Sequence, residues 1–372
     1  MKTEAITLPG TPGEAVPYLC GCAVNGTVPA SDLISGMDLD ALYLEAARHS
    51  VAAAVGQALE SAGISTPKFR EAVGRAQRKT ILLDHERAAV SARLNDAGIR
   101  YLFMKGSVIK DLYPKFGMRE MVDCDILFDR DRASDVRDIM VSMGYAVETY
   151  DVSNHDIYVK KPVYCFEMHR ELFDMNENPE LAAYFENIKI ILPDKVGDCC
   201  CRLSDEDLYL YLQAHDYSHY SFGGTGIRSL LDTYVFLKRY SDKIDWDYIE
   251  QETGKLGVSE FEKKNRSLAA HLFGGEELTA EDRKMLEYRL ESGTMGTMEH
   301  IVKNGVKNSG NGFAGKVRYV IGRLFPPLSE IRRYHPFFWK HKVLLPFFPI
   351  YRICYSVRKK RFSRKLKAII KP

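Results

Sequence analysis

The chain has 372 residues, 45% of them hydrophobic and 27% charged, with a formal net charge of +2. That length allows two or three compact units with a sizeable core, and that balance excludes an intrinsically disordered chain. No apolar run is long enough to span a bilayer, and the N-terminus carries acids and prolines where a secretory leader needs a basic start, so a cytoplasmic protein without a transmembrane helix is expected.

Residues 1–36 are rich in Gly, Pro and small side chains and read as an irregular lead-in. Helices are expected over 37–98. Leu39, Leu42, Ala46 and Ala47 are spaced three and four apart, and Thr66 before Pro67 fits an N-cap with proline at the first helical position. The helix through ILLDHERAAVSARL ends near Ala97-Gly98. The cysteine pair Cys20 and Cys22 and the run Cys199 to Cys201 lack matching second halves. Reduced, mostly buried thiols are therefore expected rather than a zinc or disulfide framework.

Residues 99–203 change texture. IRYLFM reads as a strand stopped by Lys105-Gly106-Ser107, and SVIKDLY as a short helix. YPKFGMREMV reads as a loop, CDILF as a strand, and DRASDVRDIMVSMG as a helix. YAVETY, HDIYVKK and VYCFEMHRELF follow as three strands, then a helix from about Pro179 and a short strand pair near Ile188–Leu203. This order predicts an α+β fold, a small mixed sheet with helices on one face.

From Ser204 the chain turns helical, with Ser204-Asp205-Glu206-Asp207 suited to cap the first helix. Helices are predicted over 205–219, 227–240, 245–255, 258–272 and 279–290. Residues 291–315, rich in Gly and Asn, are expected to be loose, and 291–372 form a basic, aromatic C-terminal segment. Residues 331–372 hold thirteen Lys or Arg and no acid; the remaining 39 basic and 50 acidic residues give residues 1–330 a net charge of −11. Such a segment suits an anionic membrane surface or RNA, or else packs its aromatics on the body and leaves the charge solvated.

The chemistry concentrates in MKGSVIKDLYPKFGMREMVDCDILF. On a strand alternate side chains share a face, so Asp123 and Asp125 point together while Cys124 and Ile126 point into the core. Two such carboxylates repel unless a cation lies between them, and Mg²⁺ or Mn²⁺ with oxygen ligands would serve. Alone, the pair is more often a solvated strand edge. Gly106 and Ser107 sit where a strand opens into a helix, a place for phosphate, although an ordinary turn reads the same way.

Glu167, His169 and Glu171 share one face of a later strand. Glu167, flanked by core residues, is a third ligand candidate, and His169 either orients substrate or is a hydrogen-bonded structural histidine. Lys105 and Arg119 could grip a triphosphate or form ion pairs. His215 and His219 lie four apart, but no Glu follows His215, which argues against a zinc hydrolase. Arg228 and Asp232 are also four apart and most simply form a helix-surface ion pair.

Lys105-Gly106-Ser107, Arg119, Asp123-x-Asp125 and Glu167-x-His169 together resemble the polymerase-beta-like nucleotidyltransferase superfamily. The nearest branch is that of bacterial proteins described as uncharacterised nucleotidyltransferases. The resemblance covers about residues 78–240, with LYLQAHDYSHY and GIRSLLDTYVFL in its helical part, and the gap from Ser107 to Asp123 is longer than the general pattern. It implies phosphate contact at Gly106 and Ser107, and two metal ions held by Asp123, Asp125 and Glu167. It also implies a helical region packed over the nucleotide, with His215, Arg228 and Asp232 as candidate substrate contacts. The expected activity is transfer of a nucleoside monophosphate from a nucleoside triphosphate to an acceptor hydroxyl, the acceptor being undefined. The alternative is a nucleotide-binding or regulatory protein on the same fold.

Overall fold

The computed structural model describes residues 10–358 apart from 194, 196 and 311. Two units are distinguished: the chain up to Tyr217 together with Ile227–Leu290, and Ser218–Gly226 together with the chain from Glu291 onward.

The expected irregular lead-in contains a helix, Pro12–Asn25, instead. Thr11 accepts from the Glu14 amide while the Glu14 carboxylate returns to the Thr11 amide, a capping box that supplies the missing start signal. Val16, Leu19 and Cys20 on this helix are buried, so its apolar content serves a core. The helix Pro67–Asp96 begins where the Thr66-Pro67 pair predicts, with Thr66 Oγ1 accepting from the Phe69 amide.

Five strands follow: β1 (Tyr101–Phe103), β2 (Cys124–Phe128), β3 (Ala146–Thr149), β4 (His155–Lys160) and β5 (Tyr164–His169). Their order is β1-β2-β5-β4-β3, with β2 and β5 parallel and the other pairs antiparallel, so the α+β expectation of a small mixed sheet holds. The strand pair predicted near Ile188–Leu203 is reduced to single bridges, Ile191 with Arg202 and Cys200 with Tyr101.

One sheet face carries the core. Cys124, Ile126 and Phe128 of β2, Tyr158 of β4 and Phe166 and Met168 of β5 pack with Val90 and Leu94 of the long helix. Val136 and Met140 of the helix Ala133–Ser142 close the same cluster. Burying each of these large side chains is worth roughly 1.5–3 kcal/mol. The period-two alternation then forces the intervening residues, Asp125, Glu167 and His169, onto the opposite face. All eight cysteines are free thiols, and four of them, Cys20, Cys22, Cys124 and Cys201, are buried, fewer than the mostly buried set expected.

In the second unit, residues 298–308 and 312–324 are helical, which corrects the expected loose stretch over 291–315. Thr297 caps the first helix by accepting from the His300 amide, and the break between the two is confined to the glycine-flanked residues around 310. Phe313, Val317 and Ile321, four residues apart on the second helix, are exposed. Further on, Phe338, Phe348 and Tyr351 stack on one another, and Lys342 lies over the Trp339 ring. The most basic part of the C-terminal segment, 359–372, lies outside the described residues. Among the described residues no helix is long and apolar enough to cross a membrane.

Candidate functional site

The parallel pairing of β2 with β5 sets Asp125 directly beside Glu167. The antiparallel pairing of β4 with β5 sets His155 directly opposite His169. Four polar side chains therefore share the face that the core does not use. Asp123 immediately precedes β2, and Lys105 ends the turn after β1.

Asp125 and His169 are buried. Asp125 Oδ1 accepts from Lys105 Nζ at 2.7 Å and lies 3.0 Å from His169 Nε2. Burial opposes ionisation of Asp125, but the Lys105 charge and the His169 hydrogen bond outweigh it and hold its pKa well below the ordinary carboxylate value. Lys105 shows the mirror effect: burial opposes its charge, and Asp125 restores it and more.

Asp123 behaves oppositely. Burial, then the negative charges of Asp125 and Glu167, push its pKa up to about 6. Asp123 thus carries the repulsion of the other two acids.

The turn that delivers Lys105 is strained, with φ +48° and ψ −126° in a residue that has a side chain. Gly106 follows, and a Cβ there would fall 2.3 Å from Arg119 Nη1, so a larger residue requires the guanidinium to move. The expected phosphate turn is only a four-residue helix, Gly106–Ile109, and the amides of Ser107, Val108 and Ile109 are already bonded to Met104 and Lys105 carbonyls. Ser107 is buried with its hydroxyl against Cys124 Sγ, on the core side rather than among the acids.

Arg119 takes the ion-pair alternative expected for it, and Arg228 does not make the pair expected with Asp232. Arg119 binds Asp232 through Nε and Nη2, both at 2.9 Å, and Asp232 also accepts from Tyr113 at 2.7 Å. Arg119 is therefore committed to a structural clamp, and the expected Arg228–Asp232 ion pair is not made. Asp232 is spent on the clamp rather than directed to a substrate. Arg228 makes no hydrogen bond or ion pair among the described residues. Burial, then the nearby Arg119, lower its pKa, while Asp232 and Asp123 raise it. An unpaired guanidinium thus stands within electrostatic reach of Asp123.

Two residues on this face were not singled out from sequence. Tyr211, on the helix Asp205–Phe222, is buried with its hydroxyl unpartnered among the described residues, and it feels the charges of Lys105, Asp125 and Glu167. His155 Nε2 lies 3.8 Å from Glu167 Oε2, and His169 Nε2 lies 3.5 Å from the same oxygen. Alternation along HDIYVKK places His155 on one face of its strand, but only the pairing register places it at Glu167. His215 is half-buried beside Tyr211, with ring centroids 6.0 Å apart. Among the described residues, the one group of three or more His, Cys, Asp or Glu whose ligand atoms lie close enough to hold an ion is His155, Glu167 and His169; it contains neither Asp123 nor Asp125, and neither His215 nor His219.

The model of the family described as "uncharacterised nucleotidyltransferase" matches residues 35–274, more than half of the chain, and the chain belongs to that family. No curated protein and no solved structure matches it.

Proposed function

We propose that the chain transfers a nucleoside monophosphate from a nucleoside triphosphate to an acceptor hydroxyl, with release of pyrophosphate, at Asp123, Asp125 and Glu167. The observation that carries this reading is the excess of acid on one sheet face. It is seen in Asp123, whose pKa burial and its two acidic neighbours raise to about 6. Such a donor set fits a hard divalent ion, which would be held by Asp123, Asp125 and Glu167. Bound Mg²⁺ or Mn²⁺, two ions in this reading, supplies charge that neutralises the triphosphate and makes the acceptor hydroxyl easier to deprotonate.

The remaining tasks fall to the chain's own groups. Arg228, with no carboxylate of its own, offers its guanidinium fork to phosphate oxygens. Lys105 adds a second positive charge, and the Tyr211 hydroxyl adds a hydrogen-bond donor. Half-buried Glu167 accepts the proton of the acceptor hydroxyl as its oxygen bonds to the α-phosphorus and the bond to pyrophosphate breaks. Gly106 keeps the Lys105 turn compact beneath Arg119.

A second reading has one observation in its favour. The Lys105 ammonium already sits on Asp125, as it would in a nucleotide-binding or regulatory protein that turns nothing over. In that reading the C-terminal unit, with its exposed Phe313, Val317 and Ile321, would make the contact with an anionic membrane or RNA.

The test is incubation with each labelled triphosphate, Mn²⁺ and a cell extract. The wild type is expected to move label to an acceptor, and Asp125→Asn to lower transfer by about a thousandfold while keeping the native circular dichroism. A folded and fully active Asp125→Asn protein, or a wild type that binds nucleotide tightly and transfers none, overturns the enzyme reading.

A further inference from the structure

We propose that His155, Glu167 and His169 form a binding site for a divalent transition ion of the zinc type, one that Mg²⁺ does not fill. The inference goes beyond the transfer reaction above and shares only Glu167 with it.

The argument starts from a side-chain amide. Asn154 Nδ2 donates to the carbonyl oxygens of Glu171 at 3.1 Å and Leu172 at 3.5 Å. Its Oδ1 is thereby turned toward His155 Nδ1, 3.1 Å away. An amide oxygen accepts, so His155 carries its proton on Nδ1 and presents a bare lone pair at Nε2. That lone pair faces the Glu167 carboxylate at 3.8 Å. Two acceptors facing each other repel unless a proton or a cation lies between them.

His169 approaches the same oxygen. Its Nε2 is 3.5 Å from Glu167 Oε2 and 3.0 Å from Asp125 Oδ1, so an ion bound there takes the place of the His169–Asp125 hydrogen bond, and the two imidazole rings lie 4.8 Å apart, inclined by 34°. The three ligand atoms all lie within 4.8 Å of one another. Around a zinc-type ion with ligands at about 2.0–2.2 Å, such atoms sit about 3.5 Å apart, so small side-chain rotations close the set.

One of the two imidazoles has the support that metal centres of this kind need, while His169 Nδ1 is buried without a partner among the described residues. His155 is oriented by a hydrogen bond at its other ring nitrogen, and that partner is itself held by backbone. Side-chain exposures of 23% for His155 and 21% for Glu167 leave an approach from solvent. Two imidazoles with one carboxylate favour Zn²⁺, Co²⁺ or Ni²⁺, whereas Mg²⁺ demands oxygen ligands in an octahedron.

Metal-stripped full-length protein titrated with Co²⁺ tests the site optically. One equivalent is expected to give a visible absorption band that equimolar Zn²⁺ abolishes and millimolar Mg²⁺ leaves intact. His155→Ala should remove the band, and Asn154→Ala should weaken Co²⁺ binding about 10–100-fold by releasing the ring. Asp123→Asn should retain it. Thermal melts check that each variant is folded; where His155→Ala is not, Asn154→Ala decides. Absence of a band, a band untouched by both substitutions, or one lost in Asp123→Asn and kept in His155→Ala overturns the inference. Label transfer is measured separately, so an inactive protein with an intact Co²⁺ band sinks the transfer reading alone.

Discussion

The first unit holds two largely buried polar clusters, built on opposite plans. Around Arg289, on the helix Ala280–Ser292, one buried guanidinium meets one buried carboxylate: Nη2 bonds Asp216 at 2.7 Å and Asn265 Oδ1 at 2.6 Å, and Nη1 bonds Ser229 at 3.1 Å. Asn265 continues to Gln213, and Gln213 to Thr233, so the charge is balanced and the amides are used. On the open sheet face, three carboxylates and two imidazoles lie around Lys105, and the Arg228 guanidinium, within electrostatic reach of Asp123, makes no hydrogen bond or ion pair among the described residues. The first arrangement joins helices, with only Asp216 Oδ1 of its carboxylate left over among the described residues. The second is improved by any ligand that brings positive charge to the acids and negative charge to the arginine.

The largest expected contrast is in stability. Arg289→Met strands Asp216 as an uncompensated buried charge and should cost about 3–5 kcal/mol in urea denaturation. A loss below 1 kcal/mol would mean that this cluster is no more structural than the site.

Arg228→Ala should do the reverse, leaving the urea midpoint within experimental error or slightly raised. It should also weaken nucleoside triphosphate binding about 10–100-fold, worth 1.4–2.8 kcal/mol by the usual conversion. Unchanged binding in calorimetry would remove Arg228 from the site.

The smallest effect is the most diagnostic. The Asp123 pKa stands near 6 in the fold, against about 3.9 in the unfolded chain. A raised carboxylate pKa means that the unfolded state ionises first, so metal-free stability falls as pH rises from about 4 to about 6 and is level above. Asp123→Asn removes that loss and should be more stable than the wild type above pH 6, by about 1–2 kcal/mol after allowance for partial solvent screening. The two proteins should converge near pH 4. Denaturation curves at several pH values in the presence of a chelator check this, and a difference independent of pH refutes it.

Period-two alternation made the site's face legible in the sequence. CDILF and the FEMH stretch could bury Cys124, Ile126, Phe166 and Met168 only by turning Asp125 and Glu167 the other way. The Thr66-Pro67 start and the mixed sheet followed from equally local rules. The pairing of Asp232 with Arg119 rather than Arg228 was not local. Helical spacing shows that Arg228 can reach Asp232, but Asp232 lies 113 residues from Arg119, and the loop that folds back to win it has no periodicity to read. His155 was hidden for a related reason: the register of β4 against β5 decides what it faces. The N-terminal helix was obscured by its glycines and prolines, although Thr11-Pro12-Gly13-Glu14 carried the capping signal in plain view.

The strained turn at Lys105 means that the acid pocket travels with a tethered counter-ion. An ion arriving at Asp125 does not enter a vacant hole; it evicts an ammonium. The evicted group cannot go far, because the backbone that bears it is pinned between Met104, bonded to Asp125's own carbonyl, and Gly106, pressed against Arg119. Loaded and unloaded forms of the protein should therefore differ chiefly in where one side chain rests. A ¹⁵N-labelled lysine at position 105 would act as a built-in reporter of occupancy.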